Sequence, residues 1–134
     1  MSFDLKKNNL ADKAESGFEF EIKLPEIGTP TGMFFTIRGQ KAKKVKEYSR
    51  KKFKEINDRI KYNQKFKKDE DFTPEEAEEL SVDAAVVRVI SFKGVFEDGV
   101  EVEFNESNLR RILSEHDWIR EQIIQESDNI VNFI

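Results

Sequence analysis

The 134-residue chain contains no cysteine. That excludes a disulfide scaffold, a cysteine-ligated zinc site and a thiol nucleophile together. It has a single histidine, His116. One imidazole without a partner makes neither a zinc site nor a catalytic base with its orienting group. Between Glu115 and Asp117, at a turn between two expected helices, it reads as a solvent-exposed side chain. No Gly-x-Ser-x-Gly surrounds any serine. Gly28-Thr29-Pro30-Thr31-Gly32 lacks the Gly-Lys-Ser/Thr of a phosphate loop, and its prolines remove donors that such a loop uses. Asp69, Glu70 and Asp71 lack the alternating ligands and the glycine of a calcium loop. No stretch approaches the roughly 18 consecutive apolar residues of a membrane span. The polar start Met1–Lys7 has no apolar run behind it, so no signal peptide is expected. These absences predict a protein without enzymatic activity, metal or cofactor, which works by binding other proteins.

Apolar residues are also scarce. They make up 37% of the chain, and charged residues another 37%, against typical values of roughly 45–50% and 25%. The core must be economical, and 12 phenylalanines help by burying a large area each. The net charge of −4 hides a segregation. Lys41 to Lys68 carries 13 bases and 3 acids, whereas Asp69 to Asp83 carries 8 acids and no base. Such blocks form a basic face for a partner or two elements that attract each other.

The pattern predicts an α+β fold: an N-terminal β-hairpin, a long basic helix, an apolar helix, a short β-hairpin and C-terminal helices. Residues 1–17 read as a flexible arm and 18–134 as a single domain. Phe18, Phe20, Ile22 and Leu24 alternate with Glu19, Glu21 and Lys23, the period-two signal of a strand with one buried face. Pro25 to Gly32 reads as a loop, and Met33–Arg38 as the second strand. Residues 40–66 have no glycine or proline and predict a helix, with Val45, Tyr48, Lys52, Ile56 and Ile60 on one narrow stripe. Thr73-Pro74-Glu75-Glu76 is a helix start with a cap and a candidate capping box. That helix is expected to run through Leu80 and either restart at Ser81 or continue to about Phe92, although the β-branched run 82–92 also fits a buried strand. Asp98-Gly99 between alternating runs predicts a tight hairpin. Asn105 and Asp117 are expected to cap the last two helices.

Candidate partner-binding residues fall in two places. Lys43, Lys44, Arg50, Lys51 and Lys54 belong to the basic helix. They spread around it, with Glu47, Glu55 and Asp58 between them. Together with an overall pI near 5.2, this disfavours nucleic acid as the partner. The apolar end Ile130, Val131, Phe133 and Ile134 forms either part of the core or an exposed contact. In a mixed version Phe133 packs on the helix of Ile119 and Ile123, and Ile134 is dispensable. Surface left over after one core is built predicts a homo-oligomer.

Two stretches together carry a family likeness. One is Phe35-Thr36-Ile37-Arg38-Gly39 before a charged helix with Tyr48. The other is Val86–Val95, then Asp98-Gly99, then Val102-Glu103-Phe104-Asn105, a helix, and Asp128–Phe133. In this order the chain resembles the tail assembly chaperones of long-tailed bacteriophages and prophages, over roughly residues 18–134. Phe92, where a tryptophan is common, and the very basic middle helix depart from the pattern. The resemblance implies no enzyme activity. It implies multimers in the bacterial host cytoplasm that bind the tape measure protein, help recruit the major tail protein, and are absent from the mature virion. Two other readings stay open: a structural tail or connector protein, and a nucleic-acid-binding regulator using the 41–68 helix.

Overall fold

The computed structural model describes residues 4–6, 9–67 and 73–133. The fold is α+β, as the patterning predicts. Strand β1 (Phe18–Lys23) pairs antiparallel with β2 (Pro30–Ile37), and β2 pairs antiparallel with β3 (Val89–Lys93). The sheet order is β1-β2-β3, so β2 is central. Ile22, Phe35, Ile37, Val89 and Phe92 reach a core completed by Val82 and Ala85 of α3 (Pro74–Arg88), Leu109, Ile112 and Leu113 of α4 (Glu106–Glu115), and Ile119 and Ile123 of α5 (Asp117–Asp128). The β1 alternation stops short of Leu24, which is 42% exposed in the hairpin loop. Strand β2 begins at Pro30, inside the stretch read as loop; proline is tolerated there because it sits at the strand's first residue.

The expected loose arm is partly ordered. Leu10–Ser16 form helix α1, capped by the Asn9 side chain, and Ala14 is buried against Ala42 and Val45. Alanine spacing too sparse to register as an amphipathic stripe hides this helix in the sequence. Its packing explains the start of α2 (Lys43–Phe66). The N-cap of α2 is Ala42, which has no capping side chain. Instead the Glu15 carboxylate of α1 accepts a hydrogen bond from the backbone N–H of Lys43, placing an acid where the helix dipole favours one.

Helix α3 starts as expected. The Thr73 hydroxyl accepts from the Glu76 N–H at 3.2 Å, and Pro74 fills the first turn. The Glu76 carboxylate turns towards Arg59 of α2 at 2.5 Å. This hydrogen bond, followed by the Arg59 charge, holds its carboxyl below the usual glutamate range. Helices α2 and α3 run antiparallel, Tyr48 donating to the Leu80 carbonyl at 3.2 Å near one end of the contact and Arg59 meeting Glu76 near the other. Burial, and next the Asp83 carboxylate, push the Tyr48 hydroxyl up from its ordinary value.

The apolar helix does not continue to Phe92. It stops at Arg88, and Val89–Lys93 become β3, so the run 82–92 is helix first and strand afterwards. The stop comes from tertiary structure. The Arg38 N–H donates to the Arg88 carbonyl at 2.6 Å, and its guanidinium donates to the carbonyls of Val87 and Val89 at 3.2 and 3.1 Å. These bonds satisfy acceptors that a continuing helix would have used. Gly94, at φ 73°, then turns the chain where an added Cβ would lie 2.3 Å from the Gly32 carbonyl oxygen.

Asp98 and Gly99, at φ 51° and 79°, form the expected tight turn between β4 (Phe96–Glu97) and β5 (Val100–Glu101). Positive φ at both central residues matches the twist of a two-residue hairpin. Arg111 of α4 clamps this hairpin through Glu97 at 2.5 and 2.9 Å. Asn105 caps α4 by accepting from the Asn108 N–H at 2.8 Å. Asp117 does not cap α5. His116 holds the cap position without a side-chain bond, and Asp117 is the first helical residue. His116 is half-buried with its ring edge-on to Trp118, because the short turn folds it back on α5.

Candidate partner-binding surface

The predicted site residues separate. Lys43, Lys44, Arg50, Lys51 and Lys54 are all exposed on α2. Ile130 and Val131 lie in a C-terminal 3-10 turn (Ile130–Phe133) and are 41% and 69% exposed. Phe133, in the same turn, is only 5% exposed. Its ring meets Phe18 edge-on at 5.9 Å and belongs to the core with Ile119 and Ile123. Its side chain therefore presents no surface to a partner. Ile134 lies outside the described residues.

The sequence reading spreads the bases around α2, but packing sorts them. Val45 is buried, and Tyr48, Lys52, Ile56, Arg59 and Asn63 are half-buried on the same stripe. At about 100° per residue, the side directly opposite carries Lys43, Arg50, Lys54, Lys61 and Lys65 together with Glu47, and Lys46 lies at its edge. That is one outward basic stripe, interrupted by Glu47 near its start and flanked by Asp58. The helix holds ten bases and three acids, a net of +7. The whole chain carries −4, so everything outside α2 carries −11. This strong polarity is what the blocks of charge in the sequence become in three dimensions.

The ion pair within the outward stripe holds its side chains weakly. Lys43–Glu47 is 4.0 Å long, with side chains 83% and 58% exposed, a geometry in which such pairs contribute little. Acidic helix α1 lies beside the N-terminal part of the stripe, and Asp12 and Glu15 line a cleft with Lys43, Lys46 and Arg50. Large apolar side chains flank the stripe towards its far end, with Phe53 72%, Ile60 47% and Phe66 53% exposed. Phe96 and Val100 of the β4–β5 hairpin are exposed as well, at 61% and 68%. The sequence patterning counted Ile60 among the packed positions. It is exposed because α3 begins opposite Arg59, leaving the last turns of α2 beyond it.

Among the described residues no group of acids and histidine could hold a metal ion, and no helix is long and apolar enough to cross a membrane. The family model of the YdaY prophage protein matches residues 39–134. The chain belongs to the YdaY prophage protein family. The match runs from Gly39 to the end of the chain and includes α2, the Arg88 junction and the C-terminal turn. It leaves out α1, β1 and β2. No curated protein and no solved structure matches the chain. The phage origin is thereby given by the family, and the finer role must be argued from the surface.

Proposed function

We propose that this prophage-family protein is a tail assembly chaperone, a non-enzymatic homo-oligomer that binds the tape measure protein and helps recruit tail tube subunits. The observation that carries the reading is a coincidence of two independent signs. One is the prophage family. The other is the order of elements behind the resemblance: buried Phe92, the Gly94 turn, buried Val95, the Asp98-Gly99 hairpin, the Asn105-capped helix and buried Phe133. The exposed apolar side chains of α2 and of the hairpin support a shielding mechanism, because patches of this kind mark contact sites. A long helical client would be held on such surfaces until tail subunits replace the chaperone.

Co-expression with the tape measure and major tail proteins of the same prophage tests this. The tape measure protein is expected to stay in solution and co-purify only when this protein is present. A tape measure protein equally soluble without it, together with normal tails from a prophage lacking its gene, would overturn the reading. Detection of the protein in purified particles would favour the structural tail or connector role. The other reading, a regulator that binds nucleic acid, would use the basic stripe of α2. That reading predicts affinity falling steeply with salt as several phosphate contacts are lost.

A further inference from the structure

Where α2 leaves the sheet, an open recess of about 400 Å³ is lined by Gln40, Val45, Lys46, Ser49, Arg50 and Arg88. Arg88 is the last residue of α3 and only 9% exposed. Its Nη1 donates to the Ala84 carbonyl at 2.7 Å, and its Nη2 reaches Asp128 at 3.4 Å. Its Nε has no hydrogen-bond partner among the described residues. A guanidinium this deeply buried calls for fuller compensation than one long pair to a half-exposed carboxylate. Lys46 and Arg50 bring two more positive charges to the same recess, and neither forms an ion pair among the described residues. The Ser49 hydroxyl and the Gln40 amide add neutral donors.

We propose that this recess is a binding site for the carboxylate side chains of an acidic protein segment. Arg88 meets Asp128 only at 3.4 Å, and Lys46 and Arg50 remain without an ion pair among the described residues although Asp12, Glu15 and Glu47 line the adjoining cleft, so the recess keeps charged donors that suit a carboxylate oxygen. The choice of a protein over a nucleic acid follows from two observations. The chain's own acidic helix α1 already lines an adjoining cleft with Lys46 and Arg50, and Glu15 engages the first backbone N–H of α2. The −11 carried outside α2 repels a long phosphate chain that runs past the stripe, whereas a short acidic segment ends within it. The inference stands apart from the tail-assembly reading, since it concerns the chemistry of a contact and holds whatever protein supplies the acid.

The test uses the full chain, a short disordered Glu- and Ser-rich peptide, and a single-stranded oligonucleotide of the same length, each carrying a fluorophore. Anisotropy is followed at physiological salt. Lys46→Ala and Arg50→Ala are each expected to weaken peptide binding about tenfold. Lys61→Ala and Lys65→Ala remove the same charge from the same helix outside the recess, and are expected to weaken it only about twofold. All four side chains are exposed, so the folded state should tolerate their loss. In NMR titrations the Arg88 Nε–H resonance should shift with the peptide, while that of Arg111, already paired with Glu97, should not. Equal effects from the four substitutions, an unmoved Arg88 resonance, absence of peptide binding, or tighter binding of the oligonucleotide would each overturn the proposal. Capture of the tape measure protein is read separately, so failure here leaves the tail-assembly proposal to its own experiment.

Discussion

Replacing Phe133 by alanine removes a ring that is 5% exposed and closes the core from the end of the chain. Phe→Ala in a core costs about 3–5 kcal/mol. Phe133 belongs to a single short 3-10 turn, which can settle into the space, so the lower end, about 3 kcal/mol, is expected. Part of this is the edge-on contact with Phe18 at 5.9 Å, worth about 1 kcal/mol. With an unfolding entropy of about 2.1 cal/mol/K per residue, the loss over a chain of this length lowers Tm by about 10 °C. Val131→Ala, two residues away but 69% exposed, should stay within about 0.5 kcal/mol of the parent. Gly39 supplies an internal control, since an added Cβ there would lie 3.1 Å from Cδ2 of Phe133 and 3.0 Å from Cβ of Ala14. Gly39→Ala alone should cost about 1–2 kcal/mol by overpacking. Combined with Phe133→Ala it should cost less, because the ring it crowds is gone. Urea denaturation of the four proteins of this cycle measures the coupling. A Phe133→Ala effect below about 1 kcal/mol, or strict additivity within about 0.3–0.5 kcal/mol, would show that the ring is not packed as described.

Two further outcomes are expected. Glu15→Ala should destabilise the fold by about 1 kcal/mol, the usual effect of losing a helix cap, and Glu15→Gln by less because an acceptor oxygen remains; an unchanged urea midpoint for Glu15→Ala would mean that α1 does not cap α2. The Arg111 hydrogen bonds hold the Glu97 carboxyl below its ordinary value. A carboxylate with a depressed folded value contributes stability above the unfolded value and loses it as pH falls through the folded one. The Tm advantage of the parent over Glu97→Gln should therefore be present near neutrality and shrink below about pH 4. An advantage that grows in acid would refute this role for the pair.

Much of the fold was legible because its signals are local. The β1 alternation, the Thr73-Pro74 start, the Asp98-Gly99 turn and the Asn105 cap each lie within a few residues of the structure they specify. The features misread depend on distant partners. Helix α1 is held by Ala14 against Ala42 and Val45, a contact of small side chains that leaves no hydrophobic periodicity. Helix α3 ends at Arg88 without a glycine or proline nearby. The stop is Arg38, about fifty positions earlier, whose backbone and guanidinium take the carbonyls of residues 87–89. A β-branched run is compatible with both states, so only the tertiary partner decides where one becomes the other.

The same junction governs what could be read of the binding surface. The five basic positions named from the sequence are all on the surface, but their arrangement depends on which side of α2 is packed. The sequence stripe was too narrow to settle that, since Lys52 and Arg59 share the packed side with Val45 and Ile56. Once Tyr48 and Arg59 dock on α3, Lys43, Arg50, Lys54, Lys61 and Lys65 are left on the opposite side, with Lys44, Lys46 and Lys51 at its edges. Arg88 did not register as a surface candidate at all, because in a continuous helix to Phe92 it would be one charge in an apolar run. It is the switch to strand at Val89 that places its guanidinium at the end of α3, beside Lys46 and Arg50. A charge buried by a backbone transition, and not by its own helical face, is the kind of functional residue that periodicity cannot find. Its signal in the sequence is indirect: a lone arginine in the apolar run Ala84–Ile90.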